Sequence, residues 1–286
     1  MTFAAGRYEL EKLFADDVPY GDLTSLALGI GNQPATMTFQ ARDAMILAEA
    51  ESAAGLLDIA GCATKLSARS GTALKAGALI LEATGPAAAI HQGWKAAQTL
   101  IEIWSGVATA ARAIVDAATA VSPGIVVACT RKNVPGVKSH AVRAVRAGGA
   151  VMHRLGLSET ILVFPEHRVF LGFEPLPETV KRLRHAAPEK KLVIEVASVA
   201  DGAAGAAAGF DVIQAEKFTP AMIEALRGQL DAGGVRPLVA AAGGINADNA
   251  AAYARAGADI LVTSSPYLAR PRDVQVTIAR AREPRT

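Results

Sequence analysis

From Pro123 onward the chain repeats one pattern, a short apolar run followed by an amphipathic stretch of helical length. GIVVACT leads to VKSHAVRAVRAGG, ETILVF to PETVKRLRHAA, KLVIEVAS to DGAAGAAAG, FDVIQAE to TPAMIEALRGQL, PLVAAAGGI to NADNAAAYARAG, and ADILVTSS to a short turn. Apolar runs without polar alternation belong to strands buried on both faces, and strands joined each time through a helix are laid side by side in parallel. The pattern therefore predicts an α/β fold, a parallel sheet flanked by helices and either closed into a barrel or doubly wound. DGAAGAAAG could pass for a low-complexity linker, but it lies between two strands and its small residues suit a helix packed closely on a sheet.

The first ~120 residues lack that alternation. They read as a helix near 7–15, strands at ATMTFQAR and MILAEA, a helix near 50–60 and a strand at GALILEAT. From Pro86 to about Thr119, the residues Ile90, Trp94, Ala97, Ile101, Trp104 and Val107 recur every three or four positions, which marks one long helix joining two domains. At 286 residues the chain exceeds the usual size of a single domain, and the expected division is an N-terminal domain at 1–118 and an α/β barrel at 119–271.

Hydrophobic residues make up 51% of the chain, yet charged residues interrupt every apolar run short of membrane-spanning length. MTFAAGRYELEKLFADD has early acidic residues and no apolar stretch ahead of a small-residue cleavage site, so the expectation is a cytoplasmic protein with no membrane insertion. With 29 basic and 27 acidic residues the net charge of +2 is too even for a broad nucleic-acid-binding face, and any anion site must be local. Cys62 and Cys129 lie far apart with no metal-ligand spacing around them and read as two buried thiols.

In parallel α/β folds the C-terminal ends of the strands gather on one face, where barrel enzymes hold their chemistry. Here those ends carry Thr130, Arg131 and Lys132; His153 and Arg154; Glu195; Glu216 and Lys217; Gly243 and Gly244; and Thr263, Ser264 and Ser265. Arg131, Lys132 and Arg154 at equivalent strand ends would clamp a carboxylate or phosphate, with His153 as a further donor, although each taken singly is also what a solvated loop carries. Glu195 stands inside an apolar strand, where a carboxylate is costly unless it meets a metal, a cation or a ligand hydroxyl. With Glu216 on the next strand it could hold Mg²⁺ through water, together with ribose hydroxyls or pyrophosphate; ion pairing with Lys132 or Lys217 is the alternative. AAGGIN followed by ADN is a strand, a Gly-Gly turn and an Asn-capped helix start, which would offer free backbone N–H groups to a phosphate, seconded by the hydroxyls of VTSSP.

TRKNVPGVKSHAVRAVRAGGAVMHRLGLSETILVFPEHRVFLG, IEVAS, DVIQAEKF and AAGGINADNAAAYARAGADILV, with the earlier GDLTS and SGVATAAR, resemble the quinolinate phosphoribosyltransferase family over nearly the whole chain, and within it the ModD branch of pyrophosphorylases associated with molybdate transport. The resemblance implies an N-terminal open α/β sandwich, with residues 272–286 packing back on it, and a C-terminal α/β barrel. It implies a head-to-tail homodimer whose neighbour completes each active site. It also implies transfer of phosphoribosyl from phosphoribosyl pyrophosphate to a small anionic heterocycle, a pyridine dicarboxylate in the family, with Mg²⁺ assisting and pyrophosphate and carbon dioxide released. By motif position Arg131, Lys132, His153 and Arg154 hold the acidic substrate and the sugar phosphates, joined by Lys95 of the partner subunit where the family has Arg. Glu195 and Glu216 face the ribose and the metal, and with Lys132 form the expected catalytic set. Gly243, Gly244, Ser264 and Ser265 form the phosphate seat.

The sequence departs from the family in one pocket. Phe164, Pro165, Glu166 and His167 replace a Lys-Asp-Asn-His segment, Ala242 replaces a Ser before the Gly-Gly turn, and Ser264 and Leu268 replace a Gly and a His. The pocket expected from this is less positive, with Phe164 placed to stack on a heterocycle. Two other readings stay open: a non-catalytic receptor for an oxyanion or nucleotide-like ligand linked to molybdate, and a barrel with no surviving site. Retention of Glu195 and Glu216 speaks for an enzyme, because an anion receptor gains nothing from carboxylates.

Overall fold

The structure, a computed structural model, describes residues 4–281. In chain order its elements are α1 (Arg7–Asp17), α2 (Leu23–Ala27), β1 (Pro34–Ala41), β2 (Met45–Ile46), α3 (Ala50–Ala60), β3 (Ala63–Leu66), β4 (Ala73–Leu74), β5 (Leu79–Pro86) and the long α4 (Ala87–Thr119). There follow β6 (Val126–Cys129), α5 (Lys138–Ala147), β7 (Val151–Met152), β8 (Ile161–Val163), α6 (Pro165–Arg168), α7 (Leu176–Ala186), β9 (Leu192–Val196), α8 (Val199–Ala207), β10 (Val212–Glu216), α9 (Pro220–Ala232), β11 (Leu238–Ala242), α10 (Ala250–Arg255), β12 (Ile260–Thr263) and β13 (Val274–Arg280), with 3₁₀ turns at Val169–Leu171 and Ser265–Leu268. The described residues fall into two compact units, 4–112 with 134–149 and 266–281, and 113–133 with 150–265.

The first unit is built on an antiparallel sheet of order β13-β1-β5-β3. Strand β1 alternates buried Met37, Phe39 and Ala41 with partly exposed neighbours, the period of a sheet with one covered face. Strand β13 pairs along nearly all of β1, from Ala35 opposite Arg280 to Ala41 opposite Val274. Residues 282–286 of the segment expected to pack back here lie outside the described residues. The strand expected over MILAEA shrinks to Met45–Ile46, because Glu49 adopts a left-handed backbone (φ 59°) that turns the chain into α3. GDLTS forms the short α2, with the Asp22 carboxylate accepting from the Thr24 N–H at 3.0 Å.

That turn buries Glu49 almost completely, at 1% exposure. Arg143 donates to its Oε1 through Nε at 2.7 Å, and His140 Nδ1 lies 3.1 Å from the same oxygen. Glu9 meets the other side of both residues, with Arg143 Nη2 and His140 Nε2 each 3.1 Å from Glu9 Oε1, while the Trp104 ring stacks on His140 with centroids 5.7 Å apart. The tetrad thus ties α1, the start of α3 and α5 together around charges that would be very costly unpaired. Burial alone would raise the Glu9 carboxyl, but hydrogen bonds from Arg143 and Ser139 and the nearby charges of Arg143 and His140 outweigh it and hold it below its ordinary 4.5.

In the second unit every ladder is parallel and the order is β7-β6-β12-β11-β10-β9-β8. From β8 to β12 this is chain order, and the β12–β6 pairing brings the last strand against the first, which bends the sheet into a barrel. Among the described residues no ladder joins β7 to β8, so the barrel is open at that seam. Side chains at alternate positions face inward, where Leu162, Val193, Val212, Ala240, Ala242 and Val262 form a core cluster. The intervening Ile194 and Ile213 face outward and pack against Gly202 and Gly205 of α8, so the Gly/Ala stretch is a closely packed helix as expected.

Two barrel repeats carry the same latch at the N-terminal ends of their strands. Asp211, just before β10, accepts from the Leu192 N–H of β9 at 2.6 Å and from Arg184 at 2.8 Å, while Arg184 also donates to the Gly209 carbonyl. Asp259, just before β12, accepts from the Val239 N–H of β11 at 2.7 Å and from Arg227, while Arg227 donates to the Gly257 carbonyl at 2.8 Å. Each latch fixes the neighbouring strand's start to a helix.

Arg143→Ala leaves Glu49 buried and short of its main partner, and is expected to lower stability by about 3–5 kcal/mol, read as a fall in the urea-unfolding midpoint. The Glu9 carboxyl is depressed in the fold, so its contribution is present above the unfolded value and is lost as pH falls through the folded one. Wild-type stability should therefore fall on acidification more steeply than that of Arg143→Ala.

Candidate active site

Period-two alternation continues past the barrel core and fixes which polar residues crown it. Phe164 follows Leu162, Glu195 follows Val193, and Gln214 and Glu216 follow Val212, each on the inward face. The wide spread of these residues along the sequence thus collapses onto the C-terminal strand ends.

Glu195 and Gln214 stand opposite each other in the β9–β10 register, and Gln214 Nε2 donates to Glu195 Oε2 at 2.7 Å. Burial raises the Glu195 carboxyl above its ordinary range, and the charges of Glu216 and Glu166 push the same way, against the Gln214 hydrogen bond and the Lys132 charge. Glu216 is held by local backbone geometry: Lys217 takes a left-handed conformation (φ 57°) and donates its N–H to the Ala242 carbonyl at 2.7 Å. Gly243, at φ +88°, lets β11 pass, since a Cβ there would sit 3.0 Å from Glu216 Oε1 and 2.9 Å from Lys217 Cγ.

Arg154 supplies the opposite charge. It is 7% exposed, its guanidinium lies 5.5 Å from the Phe164 ring centroid, and among the described residues no carboxylate pairs with it. Burial lowers its proton affinity and the neighbouring Arg131 charge lowers it further. Burial, then the Arg154 charge, also lowers the His153 pKa against the pull of Glu159, so His153 is a neutral donor or acceptor at pH 7. Arg131 and Lys132 are exposed, in a loop that begins with the Thr130 N–H donating to the Thr263 carbonyl at 2.9 Å. Phe164 packs on the barrel core and stacks with His167 at 5.7 Å, while its N–H donates to His167 Nδ1 at 2.9 Å.

The phosphate seat differs from expectation at the helix start. The N–H groups of Asn246, Asp248 and Asn249 are not free, because the Asn249 side chain accepts from the first and the Asn246 side chain from the other two. Gly244 is exposed with open space beside it, and Ser264 and Ser265 are half-buried at the end of the next strand, where the Ser265 N–H donates to Thr263 Oγ1 at 3.0 Å. The turn and the serines, rather than the helix N-terminus, remain available to an anion. Lys95 belongs to the first unit, where its Nζ lies 4.3 Å from the Trp94 centroid and it lines an apolar hollow of about 280 Å³ with Leu13, Leu56, Leu100, Ile103 and Trp104. Cys62 and Cys129 are buried thiols, pushed up to about 11 and about 12 by burial.

Gln214 escaped the sequence reading, although the signal used for Glu195, a polar residue inside an apolar strand, applies to it equally. It is 4% exposed and its Oε1 is buried without a partner. Among the described residues no three His, Cys, Asp or Glu side chains are grouped to hold a metal ion. Glu195 and Glu216 nevertheless suit a hard divalent ion completed by water or substrate oxygens, since such an ion would offset the burial and the nearby Glu216 charge that raise Glu195.

Family models described as quinolinate phosphoribosyl transferase, C-terminal domain, and its N-terminal domain match residues 107–277 and 22–105. A Rhodobacter capsulatus protein named "Putative pyrophosphorylase ModD" is 46% identical over 248 residues, 87% of this chain and 95% of that one. A nicotinate-nucleotide pyrophosphorylase (carboxylating) of Mycobacterium leprae is 28% identical, with 92% of this chain and 93% of that one covered. Among solved structures, NadC from Streptococcus pyogenes superposes with a TM-score of 0.87 at 23% identity, covering 96% of both chains.

The raised Glu195 carboxyl means that the fold binds its proton more tightly than the unfolded chain, a gain present at low pH and lost as pH rises through the folded value. At pH 7 the ionised group opposes folding. Glu195→Gln, which still offers Gln214 an acceptor, is expected to raise the thermal midpoint by a few degrees at pH 7 and to lose that advantage below the ordinary glutamate range, as calorimetric melts would show.

Proposed function

The chain belongs to the quinolinate phosphoribosyl transferase family, and from that premise we propose that it transfers phosphoribosyl from phosphoribosyl pyrophosphate to a carboxylated heterocycle, releasing pyrophosphate. The observation that carries this reading is the division of one barrel mouth into Arg154, buried with no acid partner among the described residues, and the carboxylates of Glu195 and Glu216. The first suits an acidic acceptor. The second suits a sugar whose anomeric carbon gains positive charge as pyrophosphate departs, which a low-dielectric pair of carboxylates stabilises.

Each residue then has a task. Glu195 and Glu216 would accept from ribose hydroxyls and hold Mg²⁺, which supplies charge neutralisation for pyrophosphate. Gln214 keeps the Glu195 carboxylate in place through its 2.7 Å hydrogen bond. Arg131, Lys132 and neutral His153 would bind phosphate or acceptor oxygens, Gly243, Gly244, Ser264 and Ser265 the 5′-phosphate, and Phe164 the ring face. A second copy of the chain would contribute Lys95, as in the family's shared-site dimer.

The test is pyrophosphate release from phosphoribosyl pyrophosphate with Mg²⁺ and a panel of heterocyclic acids. Release should require both acceptor and metal, and Glu195→Gln and Arg154→Ala should each slow it by roughly 10²-fold or more. Tight calorimetric binding of molybdate without Mg²⁺, with no pyrophosphate released from any acceptor, would instead identify an oxyanion receptor.

A further inference from the structure

Among the described residues Arg154 is the buried guanidinium or ammonium of the barrel mouth, and nothing acidic answers it. One negative charge would satisfy it. The guanidinium overlies the Phe164 ring at 5.5 Å and His167 stacks on that ring with centroids 5.7 Å apart, so an aromatic acid set against the edge of Phe164 would bring its carboxylate to Arg154. Past Phe164 the surroundings change sign. Glu166 lies two residues on, in the short α6, and its charge reaches Glu195 across the mouth. Of the strand-end cations Arg131, Lys132, Arg154 and Lys217, three are offset by Glu166, Glu195 and Glu216, and His153, with its pKa lowered, adds no charge at pH 7.

Resting on the transferase reading above, we propose that the acceptor is a planar heterocycle bearing a single carboxylate, set against the edge of Phe164 and held by Arg154, and that Glu166 discriminates against a second negative charge on the ring. The specificity lies in repulsion as much as attraction. With one carboxylate engaged in binding, the transfer loses no carbon dioxide. The lone pair of the ring nitrogen forms the bond to the anomeric carbon, the bond from that carbon to the pyrophosphate oxygen breaks with its electron pair, and the product nucleotide keeps its carboxylate.

Isothermal calorimetry on the intact protein would compare pyridine-3-carboxylate with pyridine-2,3-dicarboxylate in the presence of phosphoribosyl pyrophosphate and Mg²⁺. The monocarboxylate is expected to bind at least about tenfold more tightly, a difference of one decade. Glu166→Gln should shrink that ratio several-fold, and Phe164→Lys should reverse it, each variant first shown to melt as cooperatively as the wild type. Because Glu166 is exposed on a surface helix, its variant separates a charge effect from a folding defect. Tighter binding of the dicarboxylate by the wild type, or a ratio unmoved by Glu166→Gln, overturns the proposal. Binding of phosphoribosyl pyrophosphate with neither acid overturns it while sparing the transferase reading, whereas failure to bind phosphoribosyl pyrophosphate removes both.

Discussion

The pairing of β12 with β6 is the constraint on which the barrel depends. Without it the parallel strands would form an open sheet whose first and last members lie far apart. With it, Thr263 sits opposite Cys129, and the Thr130 N–H reaches the Thr263 carbonyl, so that the Arg131–Lys132 loop starts beside the Ser264–Ser265 strand end. The Asp211 and Asp259 latches work at the other rim, tying β9 and β11 to arginines of α7 and α9. Rigid strand starts leave the opposite ends free to carry side chains chosen for chemistry rather than cohesion.

Those side chains are poorly matched to one another by ordinary folding criteria. Glu195 is raised by burial and then by like charges, Arg154 is buried beside another arginine, Lys217 holds a left-handed backbone, and Gln214 leaves a buried oxygen unpartnered. Each costs stability, of order 1–3 kcal/mol for an unsatisfied buried polar group. Their gathering at one barrel mouth supports the proposal that they are placed for a ligand that brings the missing charges and hydrogen-bond partners.

Much of this was legible in the sequence because the signals were local. Apolar runs of four or five residues gave β6 and β9 to β12, and the three-to-four spacing from Ile90 to Val107 gave α4. Strand-end logic brought Arg131, His153, Arg154, Glu195, Glu216, Gly243 and Ser264 to one unit of the structure. What stayed hidden depends on tertiary context. A two-residue strand such as β7 has no period to detect, and β2 ended early because Glu49 accepts a backbone conformation that only its partners make tolerable. The Asn246–Asn249 loop looked like an open helix N-terminus, yet the two asparagine side chains consume its N–H groups, a competition that composition does not reveal. Gln214 was overlooked for a different reason, since a neutral amide in a strand alarms less than a carboxylate, although burying it demands partners just as firmly.

Two buried charged clusters among the described residues stand in contrast. In the first unit Glu9, Glu49, His140 and Arg143 answer one another, so that two carboxylates meet a guanidinium and an imidazole within hydrogen-bond distance. Even there one oxygen, Glu49 Oε2, lacks a partner, but the charges close on themselves and the cluster has no call for a ligand. At the barrel mouth the charges are kept apart: Arg154 lies over an aromatic face instead of a carboxylate, and Glu195 is steadied by a neutral amide instead of a cation. With a phenyl ring beside Arg154 and an amide on Glu195, neither is held in a salt bridge among the described residues. Internal neutralisation makes the first cluster a clamp; its avoidance leaves the second with charges that no side chain among the described residues neutralises.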